Sequence, residues 1–150
     1  MSDITIRVIG LEKALSRLQN VPDVISRTFH DPQVLREIGT VLAASGEKTI
    51  TEGGRPVKYK PLAESTIAAR EKKGKGSSKP LIFLGTLRNS LDYDVEGGEL
   101  YLTSVEYLKY HQFEEDRIKA KFPARPVWGA LPEDVDDISE IILDNLSKNL

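Results

Sequence analysis

Leu91-Asp92-Tyr93-Asp94-Val95-Glu96-Gly97-Gly98-Glu99-Leu100-Tyr101-Leu102 decides which class of fold the chain adopts. Leu91, Tyr93 and Val95 alternate with acidic residues, and a period of two puts all three on one face of a strand. Gly97-Gly98 then makes the turn. Two-residue hairpin loops call for positive φ, which glycine reaches without steric cost. Leu100 and Leu102 resume the alternation. The stretch predicts a β-hairpin with one apolar face.

Helices on either side can cover that face. Upstream, Asp31 is placed as an N-cap and Pro32 as the first helical residue. Val34, Leu35, Ile38, Val41 and Leu42 follow as one apolar stripe, with Gln33, Arg36, Glu37 and Thr40 opposite. Gly39, Ala43 and Ala44 leave room for a neighbour to approach closely. This helix is predicted to run to about Glu47 or a little beyond. Before it, Leu11, Leu15 and Leu18 predict a short amphipathic helix that fades before Pro22, because helical backbone is disfavoured just ahead of proline. Val24 and Ile25 extend the apolar surface into a second short turn. Ile4, Ile6 and Val8 alternate as a strand. Downstream of Pro132, Val135, Ile138, Ile141, Ile142 and Leu146 form the stripe of a last helix. Glu133, Asp134, Asp136 and Asp137 sit at the positive end of its dipole and Lys148 at the other. The sum is an α+β fold: a small antiparallel sheet with a β-hairpin packed against amphipathic helices.

The remaining segments are shorter. Leu62 to Arg70 reads as a helix with Ser65 or Thr66 near its start. Glu71 to Pro80 is rich in Lys, Gly and Ser and predicts a mobile surface loop at 71–80. Thr86 is a candidate cap for a brief helical turn after Gly85. Val105 to Phe113 is dense enough in bulky residues to be largely packed. No repeat and no boundary divides the chain, so residues 1–150 form a single domain. A body of this size buries roughly 70% of its extended surface, enough for a core without disulfides or metal.

Composition closes off several function classes. The chain has no cysteine, which excludes a disulfide framework, a thiolate nucleophile and zinc sites that need sulfur. It starts without the basic and apolar regions of a signal peptide, and no apolar run approaches ~20 residues, so no membrane partner is expected. Net charge is -2 but unevenly spread. Residues 47–80 hold nine Lys/Arg against four Glu, while residues 131–150 hold six Asp/Glu against Lys148. A chain with one basic and one acidic segment suits head-to-tail self-association or steering between unlike partners. Two solvated faces are the plain alternative.

A search for chemistry yields little. His30 beside Asp31 suits a surface or capping role. His111 precedes Glu114, Glu115 and Asp116 but sits among aromatics, where a packed histidine with one structural hydrogen bond fits better than a general base. No metal-ligand spacing and no Gly-x-Ser-x-Gly elbow is present, and Gly74-Lys75-Gly76-Ser77-Ser78-Lys79 lacks the order of a phosphate loop. The expectation is a protein that is not an enzyme, with no catalytic residue, no cofactor and no metal. The basic stretch from Lys58 to Lys79 supports at most weak DNA contact, and sequence-specific nucleic-acid recognition is not expected.

Four short segments carry a likeness. They are Tyr59-Lys60-Pro61-Leu62-Ala63-Glu64-Ser65-Thr66, Leu84-Gly85-Thr86-Leu87-Arg88-Asn89-Ser90, Tyr107-Leu108-Lys109-Tyr110-His111-Gln112-Phe113 and Phe122-Pro123-Ala124-Arg125-Pro126-Val127-Trp128-Gly129. In this order the chain resembles the phage virion morphogenesis family, the tail completion proteins of Mu-like phages. The resemblance implies a structural protein of tailed-phage or prophage assembly, acting in tail completion or head–tail joining. It implies a homo-oligomer, as a ring, with phage tail or neck proteins as partners. The place of action would be the cytoplasm of the bacterial host during assembly and then the virion. A DNA-contacting accessory protein of a phage or prophage is the alternative.

By position in that pattern, Gly85 and Thr86 read as a tight turn and its cap. His111, Gln112 and Phe113 anchor the core beside the hairpin. Pro123, Arg125 and Pro126 lead into Trp128, with Arg125 pairing a carboxylate or a carbonyl. Trp128 is either a core plug or an interface anchor. Lys72, Lys73, Lys75 and Lys79 form the candidate partner-facing patch, with Arg125 and Trp128 as further interface candidates.

Overall fold

A computed structural model describes residues 11–112 and 123–150 of the chain, with side chains from Gln19 onward. The expected strand at Ile4–Val8, the Leu11, Leu15 and Leu18 side chains, Phe113 and the Glu114–Asp116 run lie outside the described residues. Helix α1 spans Leu11–His30 and α2 spans Pro32–Thr51. Helix α3 follows at Glu64–Lys72 and a short α4 at Thr86–Ser90. Strands β1 (Asp92–Glu96) and β2 (Glu99–Thr103) come next. A 3-10 turn at Glu106–Leu108 leads into α5 (Lys109–Gln112), and α6 spans Pro132–Asn149. The class is α+β.

The hairpin is antiparallel, with Tyr93 opposite Leu102, Val95 opposite Leu100 and Glu96 opposite Glu99. Gly97 and Gly98 both take positive φ, at 60° and 75°. Residues 93, 95, 100 and 102 are the more sheltered set on their strands, as alternation predicts. That face lies on α2. The fit is close because Gly39 has no side chain: a Cβ there would stand 2.5 Å from Tyr93 Cδ2. Thr40 Oγ1 gives its proton to the Arg36 carbonyl at 2.9 Å and accepts from Tyr93 Oη at 3.2 Å. At the turn end, His30 Nδ1 meets the Gly98 carbonyl at 3.1 Å, which pins the hairpin tip to the α1–α2 junction. Only the tautomer protonated on Nδ1 can donate there.

Asp31 caps α2 as its chemistry predicts: Oδ1 accepts from the Gln33 amide at 2.8 Å. Val34, Leu35 and Ile50 are buried along this helix, Val34 and Ile50 almost completely. Each such side chain contributes about 1.5–3 kcal/mol by leaving water.

The first helix corrects an expectation. Rather than fading before Pro22, α1 runs through it as one 20-residue element. Proline in a helix interior costs about 3 kcal/mol. Packing offsets this, because Val24 and Thr28 beyond the proline are buried and α1 rests on α2 and α6. Thr28 Oγ1 also donates to the Val24 carbonyl at 2.8 Å.

Helix α6 is fastened by a buried polar network. Asp134 Oδ2 accepts from the Leu131 amide at 2.9 Å and from Ser45 Oγ at 2.7 Å. Arg55 Nη2 donates to Ser45 Oγ at 2.8 Å, and Nη1 pairs with Glu133 Oε1 at 3.0 Å. Two of the acidic residues expected merely to favour the helix dipole thus bind named partners on α2 and the loop after it.

The main core cluster holds Ile50, Leu87, Leu91, Leu108 and Val127, with Leu81, Ile82, Val105 and Trp128 packed around it. The described part of the 105–113 stretch, residues 105–112, is less buried than its bulk suggests. Leu108 is inside, whereas Tyr107 and Tyr110 are exposed.

Candidate functional site

The motif segments converge on the irregular run from Arg125 to Trp128: the first and third bond to it, and the second shares its core cluster through Leu87. Gln112 makes the central contact. Its Oε1 accepts from the Val127 and Trp128 amides, both at 2.8 Å, and its Nε2 donates to the Trp128 carbonyl at 2.8 Å. One side chain thereby pairs three backbone groups that α5 could not reach by regular secondary structure. The Arg125 amide donates to the His111 carbonyl at 3.2 Å.

Tyr59 and Arg125 bind the first segment to the last. Tyr59 Oη donates to the Pro126 carbonyl at 2.6 Å. The Arg125 guanidinium donates in return to the Lys60 carbonyl, at 3.0 Å from Nη2 and 3.3 Å from Nε, and to Pro61 at 3.4 Å. Burial pushes the Tyr59 hydroxyl up to about 12, against a smaller opposing pull from the nearby Arg125 charge. Burial also lowers the Arg125 guanidinium from its ordinary value, partly offset by Tyr59, while Arg70 adds to the lowering. Arg125 is only 5% exposed, so this interface candidate points into its own chain and pairs with carbonyls.

Trp128 lies half-buried over α2. A Cβ on Gly46 would stand 2.6 Å from Trp128 Cζ3, so the ring sits where only glycine leaves room. The second segment supplies Leu87 to the core, and Ser90 Oγ accepts from the Val105 amide at 3.2 Å. Gly85, not Thr86, occupies the N-cap of α4, with φ of 80°, and Thr86 is the first helical residue. The left-handed backbone at residue 85 explains the change, since glycine holds it at no steric cost. Pro123 is half-buried, Pro126 exposed, and Phe113 lies outside the described residues.

Beside this hub opens a groove of about 400 Å³, lined among others by Leu62, Arg70, Leu81, Phe83, Leu84 and Tyr107. Its rim is apolar and wet: Leu84 is 67% exposed, and Phe83 and Tyr107 are 43% and 44% exposed. Arg70 stands over the Phe83 ring, 5.1 Å from its centre. The same arginine donates to the Ser77 carbonyl at 2.6 Å and the Ile82 carbonyl at 3.1 Å. It thus joins the groove to the 71–80 loop. Helix α3 takes in Glu71 and Lys72 of that predicted loop; Lys72, Lys73 and Lys75 are exposed, and Lys79 Nζ turns to the Thr51 carbonyl at 3.3 Å. Among the described residues no group of three or more His, Asp or Glu is placed to hold a metal ion. No described helix is long and apolar enough to cross a membrane.

Residues 7–147 match the phage virion morphogenesis family. The chain belongs to that family. No curated protein and no solved structure matches it significantly. The family assigns a general role in building the phage particle.

Sequence reasoning missed several parts of this arrangement. Gln112 had a signal, a polar side chain with both donor and acceptor inside a run of bulky residues. The rim had one too, since Ile82-Phe83-Leu84 shows neither alternation nor a helical partner. The pairing of Gly46 with Trp128 had none.

Proposed function

We propose that the chain is a non-enzymatic component of the phage particle that completes the tail or joins it to the head. It assembles as a homo-oligomer, ring-shaped at the junction, in the host cytoplasm and stays in the virion. Family membership over residues 7–147 carries this reading. The exposed apolar rim at Phe83, Leu84 and Tyr107 and the exposed Lys72, Lys73 and Lys75 support it as surface suited to docking.

Deleting the gene from a phage that encodes it tests the reading. Filled heads and separate tails should accumulate in electron micrographs, and supplying the chain in trans should restore joined particles. Normal infectious particles from the deletion would sink the proposal. The exposed lysines favour one second reading, contact with packaged DNA. That reading requires DNA retention that falls steeply with salt and is lost in Lys72→Glu/Lys75→Glu.

A further inference from the structure

The outer face of α6 has the opposite character to the groove. Helix α6 packs on α1 and α2 through its inner side, while Val135, Leu143 and Leu150 are 48%, 64% and 55% exposed. Residues 135, 139, 143, 147 and 150 fall on one face at helical spacing. Asp136, Glu140 and Asp144 run beside them at intervals of four, all exposed. Positions 139 and 147 are serines and Leu150 caps the helix, so the face shows three apolar side chains spaced by serines, with a carboxylate flank. The groove shows the converse: Phe83, Leu84 and Tyr107 form an apolar rim, and Arg70 in its lining also borders the neighbouring hollow that holds the exposed Lys75. The lysines belong to a segment, residues 47–80, of net charge +5 and the carboxylates to one, residues 131–150, of net charge -5. Lys48 and Arg55 of the first already pair with Glu133 of the second, which leaves the 72–75 lysines and Asp136, Glu140 and Asp144 for a partner.

We propose that the outer face of α6 of one copy docks in the groove of a second copy. Leu143 meets Leu84 and Phe83, and Asp136, Glu140 and Asp144 face the lysines of the 71–80 loop. This rests on the assembly reading above and names its self-contact. The contact is heterologous: each copy offers one groove and one helix, so a dimer keeps one of each open. Association then continues until the rotation closes a ring or runs on as a filament. The charged flanks set register and speed the encounter, and salt weakens them.

The absence of native cysteine permits a clean test on the full chain. Leu84→Cys and Leu143→Cys alter exposed positions and should leave the fold intact. Under mild oxidation, an equal mixture of the two single variants should give a disulfide dimer that neither gives alone. The double variant should give a ladder of larger species. Raising salt to about 0.5 M, where exposed charges are strongly screened, should reduce both yields several-fold.

Three outcomes overturn the proposal. One is a mixture that crosslinks no better than its components. Another is either single variant pairing with itself. The third is the lack of any crosslink together with salt-sensitive DNA retention that Lys72→Glu/Lys75→Glu abolishes, which would assign the lysines to phosphate. The deletion phenotype separates this result from the wider reading. Unjoined heads and tails with no crosslink would leave the assembly role standing and remove only this contact.

Discussion

Arg125 and Leu84 border the same groove, yet one is 5% exposed and the other 67%. Arg125 belongs to a run in which nearly every polar group finds a partner within the chain: the guanidinium on Lys60 and Pro61, and the following amides on Gln112. Leu84 belongs to a rim whose apolar surface is left in water. The difference separates two kinds of information in one motif set. The residues that carry the sequence resemblance mostly knit the scaffold together, and the exposed apolar surface lies beside them on side chains with far less distinctive spacing.

Substitutions can break that contrast or sharpen it. The largest effect is expected from Gln112→Leu, which leaves the Val127 and Trp128 amides and the Trp128 carbonyl unpaired. Unpaired groups cost about 1–3 kcal/mol each where water is kept out, and these bonds are part-buried, so urea unfolding should show a loss of about 3 kcal/mol. Gly46→Ala should come next. On an exposed helix the change would stabilise by roughly 0.5–1 kcal/mol. Here the new methyl strikes Trp128, and a net loss of about 1–3 kcal/mol is expected. Combining it with Trp128→Leu should recover part of that loss, which a thermal melt would show.

Tyr59→Phe should cost about 1 kcal/mol at neutral pH through the lost bond to Pro126. It also has a pH signature. The folded hydroxyl titrates near 12 against an ordinary 10, so the folded state holds its proton longer than the unfolded one. That contribution is complete below pH 10 and is lost as pH rises through 12. Urea midpoints should fall across this window in the native chain and fall less steeply in Tyr59→Phe. The smallest effects belong to the rim. Leu84→Ser and Lys73→Glu should change stability by no more than about 0.5 kcal/mol. A larger change at either position would mean that the rim is part of the scaffold and the contrast is false.

The hairpin and α2 were legible because local chemistry and tertiary need agree there. Gly97-Gly98 can turn, the alternation gives one apolar face, and Gly39 leaves space that Tyr93 fills. Legibility failed where the long-range contact outweighs the local rule. Pro22 reads as a stop, and only the burial of Val24 and Thr28 explains why α1 continues. Thr86 reads as a cap by side-chain chemistry, but the chain needs a left-handed residue at that point and Gly85 takes it. For the hub, sequence gave the motif segments but not their partners. Arg125 was expected to find a carboxylate or a carbonyl, and which carbonyls it meets depends on folding Lys60 and Pro61 against it.

The bond between Ser45 and Asp134 has a consequence for synthesis. Its two ends lie 89 residues apart in the chain. At about 5–20 residues per second a ribosome needs roughly 4–18 seconds to travel between them. The basic stretch is translated within that interval, before the acidic helix exists. A nascent subunit thus carries its positive segment uncompensated until the acidic helix has been made, and a chain cut short before residue 134 lacks the bond to Ser45 altogether.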